Sequence, residues 1–216
     1  MPRALHSAGW LRAVYTDAWL RPGSAAALLG GLASRRLRDR FHPDLASTRV
    51  RAFTGALLAH ELAARTRRIE GWAAHVARND WFQARVTRAL HADAAFSGPP
   101  GVLFAHSYSA RAIFREAKAR AWTTVLGQID PGPEHFRIAD ALARQAPEFG
   151  PAPIRPPAAY FDAWREECEL ADWIVVNSEW SRTALAAAGV PPAKLRLMPL
   201  AYEPEVDAGA RPVRRF

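Results

Sequence analysis

From residue 102 onward, short apolar runs alternate with amphipathic ones. "VLFAHS", "WTTVLGQI", "WIVVNS" and a run over 195–198 are compact and apolar, and turn residues bound each of them. Such runs read as strands of a parallel sheet, buried rather than half-exposed. Between them, helical periodicity covers 110–120, 134–144, 158–171 and 179–188, with a proline-rich break before 158. The loop "SGPPG" at 97–101 separates this half from a less regular one. There the pattern predicts a helix over 1–8 closed by Gly9, a strand over 11–16 and a break at Pro22-Gly23. A helix with a basic end follows over 24–41, then a short strand over 49–53 and helices over 56–64 and 69–90. The last of these sets Trp72, Val76 and Phe82 near one face. Strands alternating with helices predict an α/β fold: a Rossmann-like open parallel sheet with helices on both faces.

The stretch "DWIVVNSEWSRTAL" turns from strand to helix within one residue. In an open parallel sheet, ligands bind beyond the carboxyl ends of the strands. The following helix points its unpaired N–H groups and positive dipole end at the same place. Asn177, Ser178 and Glu179 therefore fall on the rim of any crevice. The same rule puts His106 and Ser107 after the strand at 102–107, and Asp130 and Glu134 after the next. Each has a plainer reading. Ser178 is first a helix cap, and Asp130-Pro131-Gly132 is first a turn. His106 is either a hydrogen-bonding group of the sheet edge or a ligand contact. His135 beside Glu134 lacks the further clustered ligands of a metal site, so no metal is expected.

Composition narrows the classes. Half of the 216 residues are hydrophobic, enough for a sizeable core. Cys168 is the only cysteine, which excludes an internal disulfide and fits a reducing compartment. It lies in the charged stretch "REECELAD" and reads as a bystander. No run is long and apolar enough to span a bilayer; the small-residue stretch 24–34 is too short. The expectation is a cytoplasmic protein. The net charge of +8 is carried almost wholly by arginine, with Lys118 and Lys194 the only lysines. Arginines cluster at Arg35, Arg36, Arg38 and Arg40 and at Arg65, Arg67 and Arg68. These read as a solvated surface or as a face for an anionic membrane or phosphorylated substrate. Nucleic acid is not an expected partner, because no nucleic-acid motif or stacking pattern accompanies the charge. There is no G-x-G-x-x-G, no G-x-x-x-x-G-K-[ST] and no G-x-S-x-G.

The segment "ELADWIVVNSEWSRTALAAAGVPPAKLRLMPLAYEPE" resembles the closing part of the N-terminal domain in family-four, retaining GT-B glycosyltransferases. "VLFAHSYSA" and "VLGQIDPGPEH" are similar to the preceding strand–loop units. The resemblance covers roughly residues 102–205 and reaches back to "LRAVYTDAW"; its specificity lies in order and spacing. It implies one half of a GT-B architecture, with residues 1–202 as the acceptor-side domain and 203–216 as a linker towards a C-terminal donor-binding domain. It implies a nucleotide-sugar as co-substrate, a sugar, lipid-linked sugar or small-molecule acceptor, and neither a metal nor another cofactor. Two departures from the family pattern stand out. No E-x7-E donor motif is present, and the opening strand and glycine loop are missing, so the chain reads as truncated at both ends. On this reading it is inactive alone and needs a C-terminal domain or partner subunit.

The resemblance implies His106 as the catalytic residue and Ser107, Asp130 and Glu134 as acceptor contacts. Asn177, Ser178, Glu179 and Arg182 would frame the cleft near the donor. The alternative is a non-catalytic binding or scaffold module, which pairs with a separate donor-domain subunit or binds an anionic surface. A peripheral place at the inner membrane face is compatible with either.

Overall fold

The computed structural model describes residues 1–23, 40–151 and 153–200. It divides into two compact units, Met1–Pro99 and Pro100–Phe216, with the boundary inside the "SGPPG" loop. Most of the helix expected over 24–41, and the linker expected over 203–216, lie outside the described residues.

In the first unit α1 (Pro2–Ser7) precedes β1 (Val14–Thr16), which pairs in parallel with β2 (Val50–Ala52). The helices α2 (Thr54–Thr66), α3 (Gly71–His91) and the short α4 (Ala94–Ser97) follow. The strands are brief, and a buried carboxylate helps to fix them. Asp93, beyond the end of α3, accepts a hydrogen bond from the Tyr15 hydroxyl at 2.6 Å and one from Arg49 Nη1 at 3.0 Å. Tyr15 belongs to β1, and Arg49 immediately precedes β2. Burial and the Asp93 carboxylate together push the Tyr15 pKa upward. Beyond β1, Asp17 receives Arg78 of α3 at 2.8 Å and also pairs with Arg40. α2 leans on α3 through the His60–Trp81 stack, centroids 5.1 Å apart, and through the Arg78–Glu61 pair at 2.7 Å.

The second unit runs β3 (Val102–His106), α5 (Arg111–Lys118), β4 (Thr123–Gly127), α6 (Pro133–Gln145), α7 (Ala158–Leu170), β5 (Trp173–Val176), α8 (Glu179–Ala187) and β6 (Leu195–Leu197). The four strands form one parallel sheet in chain order, β3-β4-β5-β6. The expected parallel α/β architecture is present. The strands are shorter than the apolar runs that predicted them: the Ser107 and Gln128 N–H groups make the last bonds to the neighbouring strand, and the chain then turns into the edge loops. Short 3-10 turns at Pro43–Leu45, Pro147–Phe149 and Pro192–Lys194 were not anticipated; each begins with proline, whose fixed φ suits the first position of a turn.

A single core joins Ala110 and Phe114, Leu126, Trp164 and Cys168, Ile174 and Val176, and Leu185 and Leu195. In this unit α5, α7 and α8 pack on one face of the sheet. Right-handed crossovers through strands in consecutive order place successive helices on the same side. Alternation puts Val102, Phe104, Val125, Trp173 and Val175 on the opposite face, where the Arg196 guanidinium lies 3.9 Å over the Trp173 ring.

Asp172 ties the amino edge of the sheet together. Its carboxylate accepts from the Thr124 N–H at 2.8 Å and from Lys118 Nζ at 2.7 Å. The Thr124 hydroxyl, wholly buried, donates to the Leu170 carbonyl at 2.7 Å. On the far side Lys194 Nζ closes the end of α7 by donating to the Cys168 and Glu169 carbonyls at 3.1 and 2.8 Å. Burial pulls the Asp172 pKa upward, but Lys118 and Thr124 outweigh it and hold the carboxyl below its ordinary range. Asp172→Ala should cost about 1–3 kcal/mol in urea unfolding at neutral pH, because it strands the Thr124 N–H. Since the folded-state pKa is depressed, the ionic part of that loss should fade as pH falls through the carboxyl's titration on the acid side.

Candidate functional site

The loops beyond the carboxyl ends of β3, β4 and β5 carry most of the polar groups singled out by sequence. His106 is the last residue of β3 and pairs in register with Gly127, the last of β4. Leu103 and Ala105 pack against the core, so Phe104 and His106 point to the opposite face. Their rings meet edge-on, with centroids 5.2 Å apart and planes at 89°. A β-carbon on Gly127 would fall 2.4 Å from Phe104 Cζ and 3.1 Å from His106 Nδ1. Glycine at 127 is thus what lets this pair lie against the strand. Burial lowers the His106 pKa, against the upward pull of a hydrogen bond to the Gly127 backbone. The shift favours the neutral imidazole, and the residue as a whole is exposed.

After His106 the chain turns sharply. The Ser107 N–H donates to the Gly127 carbonyl at 3.1 Å, and Ser107 Oγ accepts the Ile129 N–H at 3.4 Å. Tyr108 adopts φ 70, a left-handed conformation that is costly for an aromatic residue. Glu167 of α7 holds it there. One carboxylate oxygen accepts the Tyr108 N–H at 2.6 Å; the other accepts those of Ala110 and Arg111 at 2.7 and 3.0 Å. These donors lead into the first turn of α5, where N–H groups have no helical partner. Glu167 thus caps α5 from another helix, and its side chain is almost wholly buried. Burial raises its pKa from an ordinary 4.5 to about 7, against the opposing pull of the three N–H donors.

The β4 exit is joined to the same turn. Asp130 Oδ1 accepts the Tyr108 hydroxyl at 2.7 Å, Gln128 Nε2 at 3.0 Å and the Gly132 N–H at 2.8 Å. Gln128 Oε1 in turn accepts the Trp164 indole N–H at 3.0 Å. The Tyr108 ring stacks on Tyr160 of α7, with centroids 4.6 Å apart and planes at 12°. Burial pushes both phenol pKa values upward, with the Asp130 charge adding to it.

At the β5 exit Ser178 caps α8, its Oγ accepting the Ser181 N–H at 3.1 Å. Ser181 Oγ donates to Asn177 Oδ1 at 3.2 Å. Glu179 pairs with Arg182 on the surface of α8 at 2.7 Å. Glu134 pairs in the same way with Arg137 on α6, at 2.6 Å from Nε.

The structure joins His106, Ser107 and Asp130 through adjoining loops and places Asn177 and Ser178 at the neighbouring strand end. Ser107, Asp130 and Ser178 are engaged by their own backbone, as caps and turn formers. Glu179 and Arg182 lie on the exposed first turn of α8 and the half-buried Glu134 on the first turn of α6, outside the hydrogen-bonded cluster. The sequence reading passed over Tyr108, Gln128, Tyr160 and Glu167. For Glu167 a signal existed: Trp164, Glu167, Cys168 and Ala171 follow helical spacing, so the carboxylate sits on the buried stripe of α7. Cys168 is also buried, which pushes its thiol up to about 12.

Among the described residues no group of three or more His, Cys, Asp or Glu side chains is placed to hold a metal ion. Among them, too, no helix is long and apolar enough to cross a membrane. No family model, curated protein or solved structure matches the chain.

Glu167→Gln should lower stability by about 1–3 kcal/mol, because an amide NH2 cannot accept an N–H, whereas the same oxygen of a carboxylate or a protonated carboxyl can. The raised pKa gives the native state extra protons between about 4.5 and 7, so this group's stabilising contribution is full at the acid end and declines as pH rises. Urea titrations of the two proteins should therefore diverge most near pH 4.5 and draw closer towards neutrality. A gap independent of pH would show that Glu167 keeps an ordinary pKa.

Proposed function

We propose that this chain is the acceptor-side half of a retaining glycosyltransferase. It would position the hydroxyl of a sugar, lipid-linked sugar or small molecule for transfer from a nucleotide-sugar. The observation that supports this reading is His106: an exposed imidazole, its pKa lowered by burial, at the carboxyl end of a parallel strand and just before the turn that Glu167 holds. A neutral imidazole can accept a hydrogen bond from an alcohol, orienting its oxygen towards an anomeric carbon. The strand–helix corner at Asn177-Ser178 lies two strands away and would border the departing diphosphate, where the N-terminal end of α8 carries positive potential. Ser107, Asp130 and Ser178 then act by holding the loops in shape. In this reading the donor site belongs to a second α/β half, as the resemblance implies.

The test is transfer by the complete product of the native gene, assayed against a panel of nucleotide-sugars and acceptors. His106→Ala should reduce kcat/KM by about 100-fold or more, in the range typical of a positioned acid–base group, with the thermal midpoint unchanged. Full turnover in the variant would remove His106 from the site, and no transfer from any donor would overturn the reading.

A further inference from the structure

α2 has an inner face that is fully used and an outer face that is not polar. Inward, Leu57 is 2 % exposed, while His60 and Glu61 face Trp81 and Arg78 of α3. Outward lie Gly55, Leu58, Ala59, Leu62, Arg65 and Thr66, all exposed. Leu58 and Leu62 stand one turn apart on this face, 55 % and 64 % exposed. The outer face of a surface helix is ordinarily polar. Here it is a line of leucine and alanine that runs into arginines.

Arg65 continues the line at i+3 from Leu62. Arg67 and Arg68 follow in the cap and are likewise exposed. The cap is closed by two backbone bonds, Ile69 N–H to the Ala64 carbonyl at 3.0 Å and Arg68 N–H to the Arg65 carbonyl at 3.1 Å. This is the arrangement in which glycine is the unstrained residue at the left-handed position, yet Arg68 occupies it at φ 53. No carboxylate pairs with Arg65, Arg67 or Arg68 among the described residues. Glu61 is held by Arg78 on the inner side, which leaves Glu70, exposed beyond the cap, as the acidic side chain of this segment. The negative end of the helix dipole lies here as well, and it favours cations at this end.

We propose that the outer face of α2 docks on an anionic lipid bilayer. Leu58 and Leu62 enter the boundary between headgroups and acyl chains, the helix lies in the plane of the surface, and Arg65, Arg67 and Arg68 meet the lipid phosphates. The leucines favour a lipid surface over a nucleic acid, which would engage the arginines and leave the apolar line in water. Two leucines and three arginines make a weak, reversible and salt-sensitive attachment rather than an anchor.

Co-sedimentation of the full chain with vesicles tests this without reference to any transfer activity. Vesicles of phosphatidylcholine with phosphatidylglycerol should bind the chain at low salt and release it at high salt; phosphatidylcholine alone should not bind it. Each arginine is worth about fivefold in partition, so Arg65→Gln/Arg67→Gln/Arg68→Gln should reduce binding by well over tenfold. Leu58→Ser/Leu62→Ser should reduce it several-fold at unchanged charge. All five side chains are exposed, so circular dichroism and thermal midpoint should match the parent. Absence of binding to anionic vesicles would overturn the proposal. So would binding unaffected by the arginine substitutions, which would place the contact elsewhere on the chain. Loss with the arginine variant but full retention with the leucine variant, together with equal affinity for a random DNA duplex, would mark a general polyanion site instead.

Discussion

A single buried carboxylate organises the second unit. Three backbone N–H groups at the start of α5 and in the turn before it have no partner of their own, and Glu167 supplies one for all three. Burying a carboxylate is costly and burying unpaired N–H groups is costly too; each arrangement is tolerable only with the other. The bond set fixes α5 against α7 and holds Tyr108 in a conformation that it would not adopt alone. Through the Tyr108 hydroxyl it then fixes Asp130 and the β4 loop. His106 is set by its own strand and by Gly127, and the turn that follows it is set by this chain of contacts.

The alternation of strand and helix beyond residue 100 was legible because a parallel sheet leaves its strands as uninterrupted apolar runs. The run at 122–129 gave β4 its position but not its end, since Gln128 and Ile129 have the composition of a strand and the role of a loop. The first unit was harder to read: β1 and β2 are three residues each, too short for a periodic signal, and they are held by Asp93, whose partners lie far away in sequence. The rule that polar groups gather at the carboxyl ends of parallel strands placed His106, Ser107, Asp130 and Asn177-Ser178 at those ends, where the structure has them. It could not say which of these groups would be engaged by the backbone. Ser107 and Asp130 look alike in sequence as candidates, and both prove to be loop braces. Glu167 was hidden for the opposite reason, because its charge suggested a surface and its partners stand some sixty residues earlier.

The two units use their arginines differently. In the second, Arg115, Arg120, Arg137 and Arg165 each meet a carboxylate on their own helix or a neighbouring one. Such exposed pairs contribute little to stability and mainly neutralise the surface. In the first, Arg49 and Arg78 are drawn to carboxylates that brace the fold, whereas the arginines at the end of α2 are left to solvent. A large positive net charge thus does not describe a uniformly basic surface.

Cys168 sits beside Glu167 on the buried stripe of α7, and it is the chain's only thiol. Its thiolate is disfavoured while α7 is seated, so it is inert to alkylating reagents until the helix lifts from the sheet. The same motion would release the three N–H groups that Glu167 holds. The speed with which a maleimide marks this position therefore reports how often the brace behind His106 opens, a clock for local unfolding built into the native sequence.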